Sequence, residues 1–199
     1  MKDAGVDFIT SCMDLNAMQT LGDELAQQEL DVTMHHPNSY NADFVAANAE
    51  IFEGDLVIPQ FTAFEADFES ELLDTYFEYI DPETAPEELA MTGFLNAHLA
   101  FLGLLAAGPE FDQATTIAAI RSIEDYTADG MSNAIDWGRQ IPAPTGDNPE
   151  VEYELECFNA VEVVDGEFVQ WTGEPGSPWT CWELDRSAWS EPEARSFSL

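Results

Sequence analysis

"VDFITSCMDLNAMQTLGDELAQQELDVTMHH", residues 6–36, carries the pattern that decides the fold. "VDFIT" alternates little and is rich in Val, Phe, Ile and Thr, as expected of a strand covered on both faces. In the following "DLNAMQTLGDELAQQEL", Leu15, Met18, Leu21 and Leu25 recur at helical spacing, and Asp14 or Asn16 can cap the N-terminus. "DVTMH" predicts a second short strand, and "PNSYN" is a loop of turn residues. "NADFVAANAEIFEGD" predicts one short helix stopped by Gly54, and "LVIPQF" a third strand. Strand–helix–strand–helix–strand is the order of a parallel α/β layer. Before it, "MKDAG" has the look of a helix end with Gly5 in the C-cap place, so the chain reads as beginning in the middle of a fold.

Downstream the periodicity changes from strands to helices. Phe68, Leu72, Leu73, Tyr76, Phe77 and Ile80 share one helical face over residues 68–80. A second helix is expected over residues 89–107, after Pro86 and ended by Gly108 and Pro109; Asp112 caps a third with Ile117, Ile120 and Ile123 on one side. Three helices in succession must cover a sheet face that lies elsewhere. "ELECFNAVEVVDGEFVQWTG" then predicts a β-hairpin around Asp165-Gly166, a strong type I′ turn signal. "EPGSPWTCW" is an irregular extension, and the stretch from Asp185 is tail-like.

Five Lys and Arg against forty Asp and Glu give a net charge of −35 over 199 residues. Phosphate binding needs a basic patch, so nucleic acid is excluded as a partner, and anionic membrane surfaces are disfavoured. The acids are spread through every segment, which marks a solvated surface. It serves solubility, or life at high ionic strength where salt screens self-repulsion. The most apolar run, "FLNAHLAFLGLLAAG", is shorter than the about 20 residues of a membrane span and carries Asn96 and His98. "MKDAGVDF" has no targeting character.

No Walker loop, GxGxxG, GxSxG, HExxH or CxxC occurs. His35 and His36 are adjacent on a strand and so point to opposite faces; no metal site and no cofactor is expected from them. His98 reads as a core or interface histidine. The carboxylates are too numerous to nominate an acid/base pair, and no catalytic residue is assigned. Trp137, Trp171, Trp179 and Trp182 cluster late and serve packing, a ligand cleft or a partner face. A hairpin with a returning extension brings Cys157 and Cys181 within disulfide distance, two buried thiols being the other reading; Cys12 is then left over.

The succession of "GVDFITSCMDLNAMQTLGDELAQQEL", "HPNSYNADFVAANAEIFEGDLV", "ELAMTGFLNAHLAFLGLLAAGPEFDQATTIAAIRSIEDYTADGM", "IDWG" and "CFNAVEVVDGEFVQWTGEPGSPWTC" resembles the second half of the type I periplasmic solute-binding proteins. More closely, it resembles the branched-chain amino-acid substrate-binding subunits of ABC importers. The resemblance implies a Rossmann-like lobe, the helices of a second, incomplete lobe, and a C-terminal hairpin. On it, residues 1–58 are ligand-binding lobe two, residues 59–152 a helical part returning to lobe one, and residues 153–199 a hairpin and extension on lobe two. It also implies a small polar solute, an amino acid or amide-like compound, held between the lobes by the loops at the strands' carboxyl ends. Those loops hold Met13, Asp14 and Asn16, then Asn38, Ser39 and Tyr40. Amino-acid binders carry an acid where this chain has Asn38, which makes Asp14 the candidate charge or the ligand a neutral solute. The implied partner is a membrane permease, and the implied location is extracytoplasmic. A sensing or enzymatic domain on the same scaffold, or an inactive fragment, is the alternative. With half a cleft, the chain is expected to expose a large apolar patch along its helices and to bind no solute tightly.

Overall fold

The computed structural model describes residues 4–81, 87–140 and 155–183. Strand β1 (Phe8–Thr10), helix α1 (Leu15–Gln27), strand β2 (Thr33–His36), helices α2 (Ala42–Ala47) and α3 (Ala49–Phe52), and strand β3 (Leu56–Val57) follow one another. β1 pairs in parallel with β2, Ile9 opposite Met34, and β2 in parallel with β3, His36 opposite Val57. α1 closes on α3 because Gly22 lacks a side chain: a Cβ there would collide with Ile51. Met18 and Leu25 of α1 are buried between them and the sheet.

Two expectations are corrected in this layer. β1 is not covered on both faces: it is the end strand of the sheet, with Phe8 and Thr10 exposed. The helix expected between β2 and β3 is two helices, broken at Asn48 (φ −127°, ψ 29°). The Asn48 side chain donates to the Phe44 carbonyl at 2.8 Å and accepts from Gln19 Nε2 at 2.6 Å. An Asn that satisfies nearby backbone this way competes with the helix it sits in.

Helix α4 (Glu71–Tyr79) begins later than its apolar pattern suggests, because Ser70 is extended and its Oγ accepts from Leu73 N. Phe68 therefore precedes the helix, packed against the core. Helix α5 (Glu88–Ala107) ends at Gly108, whose φ of 83° suits a residue without Cβ. Helix α6 (Gln113–Arg121) has a reciprocal capping box between Asp112 and Thr115. The short helix α7 (Trp137–Gln140) follows. α5 and α6 meet closely at Gly103, against Ile120 and Thr116. Met91 and Tyr76 are wholly buried, yet Leu89, Phe101, Leu104 and Leu105 of α5 stay exposed. At 20 residues, α5 has the length and apolar composition of a membrane span, which the shorter run read from sequence did not.

Strand β4 (Leu155–Phe158) is followed by β5 (Val161–Val164), β6 (Glu167–Gln170) and β7 (Thr180–Glu183). β5 joins β3 antiparallel, giving a sheet of order β1-β2-β3-β5-β6. The β5–β6 turn is Asp165-Gly166, with φ of 53° and 79°, as a type I′ turn requires. Cys157 does not belong to that hairpin. It sits on β4, which pairs separately with β7, Cys157 opposite Cys181, and the two form a disulfide with Cα atoms 4.1 Å apart. Asn159 stands in the break between β4 and β5. Fully buried, it accepts from Ala63 N at 3.0 Å and donates to Phe61 O at 2.6 Å, fastening the end of β4 to the segment after β3. Cys12 is free and exposed. The tail-like stretch from Asp185 lies outside the described residues.

Candidate functional site

The loops after β1 and β2 leave the same end of the parallel sheet, as strands at adjacent parallel positions must. In the first, Asp14 Oδ1 accepts from Asn16 N at 3.0 Å and Ala17 N at 3.1 Å, so its carboxylate caps α1. Met13 is half-buried against the core, and Asn16 is exposed. From this segment it is Leu15 that lines the cavity shared with the second loop.

In the second loop the three consecutive residues part company. Asn38 and Tyr40 line a cavity of about 250 Å³, together with Leu15, Asn41, Gln60, Glu87, Glu88, Leu89 and Thr92. Its walls are thus the two loops at the sheet's carboxyl end, the segment leaving β3, and the first turns of α5. Tyr40 is 2% exposed; its hydroxyl donates to Glu65 Oε2 at 2.6 Å and accepts from Phe64 N at 2.7 Å. The ring stacks on Phe168 of β6. Burial, and then the Glu65 carboxylate, push the Tyr40 phenol far above its usual range, so it stays a neutral donor.

Ser39 faces the other way, into the protein. Its Oγ lies 3.5 Å from His36 Nδ1, and His36 Nε2 lies 2.8 Å from Asp55 Oδ2. Asp55 Oδ1 accepts from Met34 N at 2.7 Å. Serine, histidine and aspartate in this order have the composition of a hydrolytic triad. They are only 2%, 1% and 2% exposed, and the gap bordered by His36, Ser39 and Val163 has no room for water. A nucleophile must reach its substrate, so the trio is a hydrogen-bonded core clamp joining β2 to β3. Asp55 itself is pushed up from the ordinary carboxyl range by burial, against the hydrogen bonds from His36 and Met34.

His35 points to the opposite face from His36, its Nδ1 2.7 Å from Thr10 Oγ1 and its ring stacked on Phe8. His98 Nδ1 lies 3.1 Å from the Tyr126 hydroxyl. Among the described residues no cluster of three His, Cys, Asp or Glu side chains is placed to hold a metal ion. Trp179 donates from Nε1 to Thr62 Oγ1 at 3.0 Å and borders a wider, open groove with Asp67, Glu69, Asn133 and Ser177.

Sequence reasoning missed Gln60, Glu87, Glu88 and Asp55. Glu88 is 8% exposed, and burial raises its carboxyl above the usual range, opposed by the backbone amides of Gln60 and Tyr40. Nothing in the sequence separates it from the other acids.

No family model and no curated protein matches this sequence. Solved structures do match its fold. A leucine-binding protein from Thermotoga maritima aligns with a TM-score of 0.59 and 14% identity, covering 83% of this chain and 43% of that one. A branched-chain amino acid ABC transporter protein from Thermus thermophilus, with bound valine, aligns with a TM-score of 0.54 and 20% identity over 86% of this chain and 46% of that one. This chain shares the mixed α/β fold of part of each, and spans less than half the length of either.

Proposed function

We propose that this chain is the ligand-binding portion of a solute-binding subunit serving an ABC importer, and not an enzyme. The observation that carries the reading is the position of the 250 Å³ cavity. It lies at the carboxyl ends of the parallel strands, where open α/β sheets take their ligands. Its size is below that of drug-sized sites, which suits a small polar solute such as an amino acid or amide. The fold shared with two proteins of branched-chain amino-acid binding and transport supports the same class.

On this reading residues 1–58 and 153–199 form one lobe, and residues 59–152 lead to the other. The segment leaving β3, fastened by Asn159, is a crossing between them. Solute bound between lobes favours the closed arrangement, and the permease recognises that arrangement. Of the loop residues Met13, Asp14, Asn16, Asn38, Ser39 and Tyr40, the proposal places Asn38 and Tyr40 against the solute and Asp14 behind them through its cap on α1, with Met13 and Asn16 in the same loop; Ser39 is turned to His36 and takes no part. The Cys157–Cys181 disulfide agrees with an oxidising, extracytoplasmic setting.

A ligand that binds only the folded state raises its melting temperature. Amino acids and small amides are expected to raise that of this chain at high concentration, with millimolar apparent affinity, and sugars and nucleotides to leave it unchanged. Equal response to all four classes, or to none, contradicts the proposal.

A further inference from the structure

Glu88 Oε1 is buried and has no hydrogen-bond partner, in a residue that lines the 250 Å³ cavity. A buried carboxylate oxygen left unpaired is costly, and native proteins pair such groups. Among the described residues the cavity wall provides no cation. Arg121 and Arg139, the Lys and Arg residues among those described, belong to α6 and α7, and the wall adds a second acid, Glu87. Glu87 is engaged by Asn41 Nδ2 at 3.4 Å, whereas the Glu88 carboxylate is met by the backbone amides of Gln60 and Tyr40 and by no side chain among the described residues, with Oε1 left over.

We infer that Glu88 is a ligand-binding residue that receives the primary ammonium group of a small solute in this cavity. The inference rests on the solute-binding reading above and names the group recognised. An ammonium has three donors and one charge. The cavity offers it the Glu88 carboxylate with Glu87 beside it, the side-chain amides of Asn38 and Gln60, and the Thr92 hydroxyl. A bare metal ion is less well served: hard cations take six or more oxygen ligands, including several carboxylates, and no cluster of three is present among the described residues. Rotation about the terminal bond of a glutamate is soft, so Oε1 can turn towards the cavity as the ammonium enters. The apolar side chains of Leu15 and Leu89 face a solute's hydrocarbon part.

The test is a nuclear magnetic resonance titration of the whole chain with valine, isobutylamine and isovalerate. The second lacks the carboxylate of valine and the third lacks its ammonium. Valine and isobutylamine are expected to move the amide signals of Asn38, Gln60 and residues 88–92, and isovalerate not to. Glu88→Gln should weaken isobutylamine about tenfold, the loss expected for a hydrogen bond to a charged group. Glu69→Gln, the same charge change in the open groove, should leave it unchanged. A variant-free readout is the side-chain carboxyl carbon of Glu88, which should shift with isobutylamine and stay still with isovalerate. Isovalerate acting as strongly as isobutylamine, sodium or potassium chloride producing the same shifts, or unchanged affinity in Glu88→Gln overturns the assignment while leaving a solute site in place. No response of the cavity to any solute overturns the solute-binding reading and the assignment with it.

Discussion

Along β2, Met34 and His36 keep 2% and 1% of their surface in solvent, whereas on α5 Leu89 and Leu105 keep 84% and 61%. The strands are buried by elements that this chain itself provides: α1, α2 and α3 follow within a few residues, and β5 and β6 return from a hundred residues on to complete the sheet. The helices α4 to α6 have no strands between them among the described residues. They touch the core through Tyr76, Met91 and Phe94, and one another through Gly103 and Ile120, leaving Phe101, Leu104, Leu105 and Phe111 outward. A soluble monomer rarely leaves so many large apolar residues together. Local sequence pattern makes each helix, but tertiary packing decides how much stability it contributes.

The contrast is sharpest in core truncation. Phe52→Ala should cost about 4 kcal/mol, since the ring is fully buried between α3, Phe44 and His36. Leu105→Ala on the exposed face should stay within about 0.5 kcal/mol. Urea unfolding measures both, and similar costs would break the comparison. Next comes the disulfide: reducing Cys157–Cys181, 24 residues apart, should cost about 3 kcal/mol in the chain-entropy model, read as a lower urea midpoint with reductant. A midpoint that does not move would show that the cross-link between β4 and β7 contributes nothing to stability. Asn159→Ala should cost about 2 kcal/mol, because it strands the amide of Ala63 and the carbonyl of Phe61 inside the protein.

The smallest effect is that of pH. Burial raises the carboxyls of Asp55 and Glu88 above their unfolded values. A raised folded value means that their contribution to stability is complete below the ordinary carboxyl range and is lost as pH rises through the raised values. The melting temperature should therefore climb by a few degrees between neutral and mildly acidic pH, and self-repulsion among forty acids acts in the same direction. Molar chloride at neutral pH should recover part of that gain by screening. A melting temperature that falls on mild acidification, or that ignores salt, contradicts this account.

The parallel order of β1, β2 and β3 was readable in residues 6–57 because each strand contains a β-branched residue and each break carries a capping or turn residue. The Asp165-Gly166 turn was equally plain, since its positive φ angles select those residues. What escaped was long-range. The exposure of β1 depends on which strand lies beyond it, not on "VDFIT". The split at Asn48 and the break at Asn159 come with partners 29 and 96 residues away, Gln19 and Ala63. Of the proposed loop residues, Asn38 and Tyr40 meet in one cavity because they stand two apart in one loop, and Ser39 between them turns to His36. Glu88 was invisible among forty acids, because a carboxylate's burial is set by the elements that close over it.

The most direct test of the account is hydrogen exchange of the chain with and without the amino acid or amide that stabilises it most. The cavity at the sheet's carboxyl end predicts added protection in residues 38–41, at Gln60 and in residues 88–92, with none along the open groove of Asp67, Asn133 and Ser177. Protection that gathers in that groove, or that appears nowhere in the chain, contradicts it.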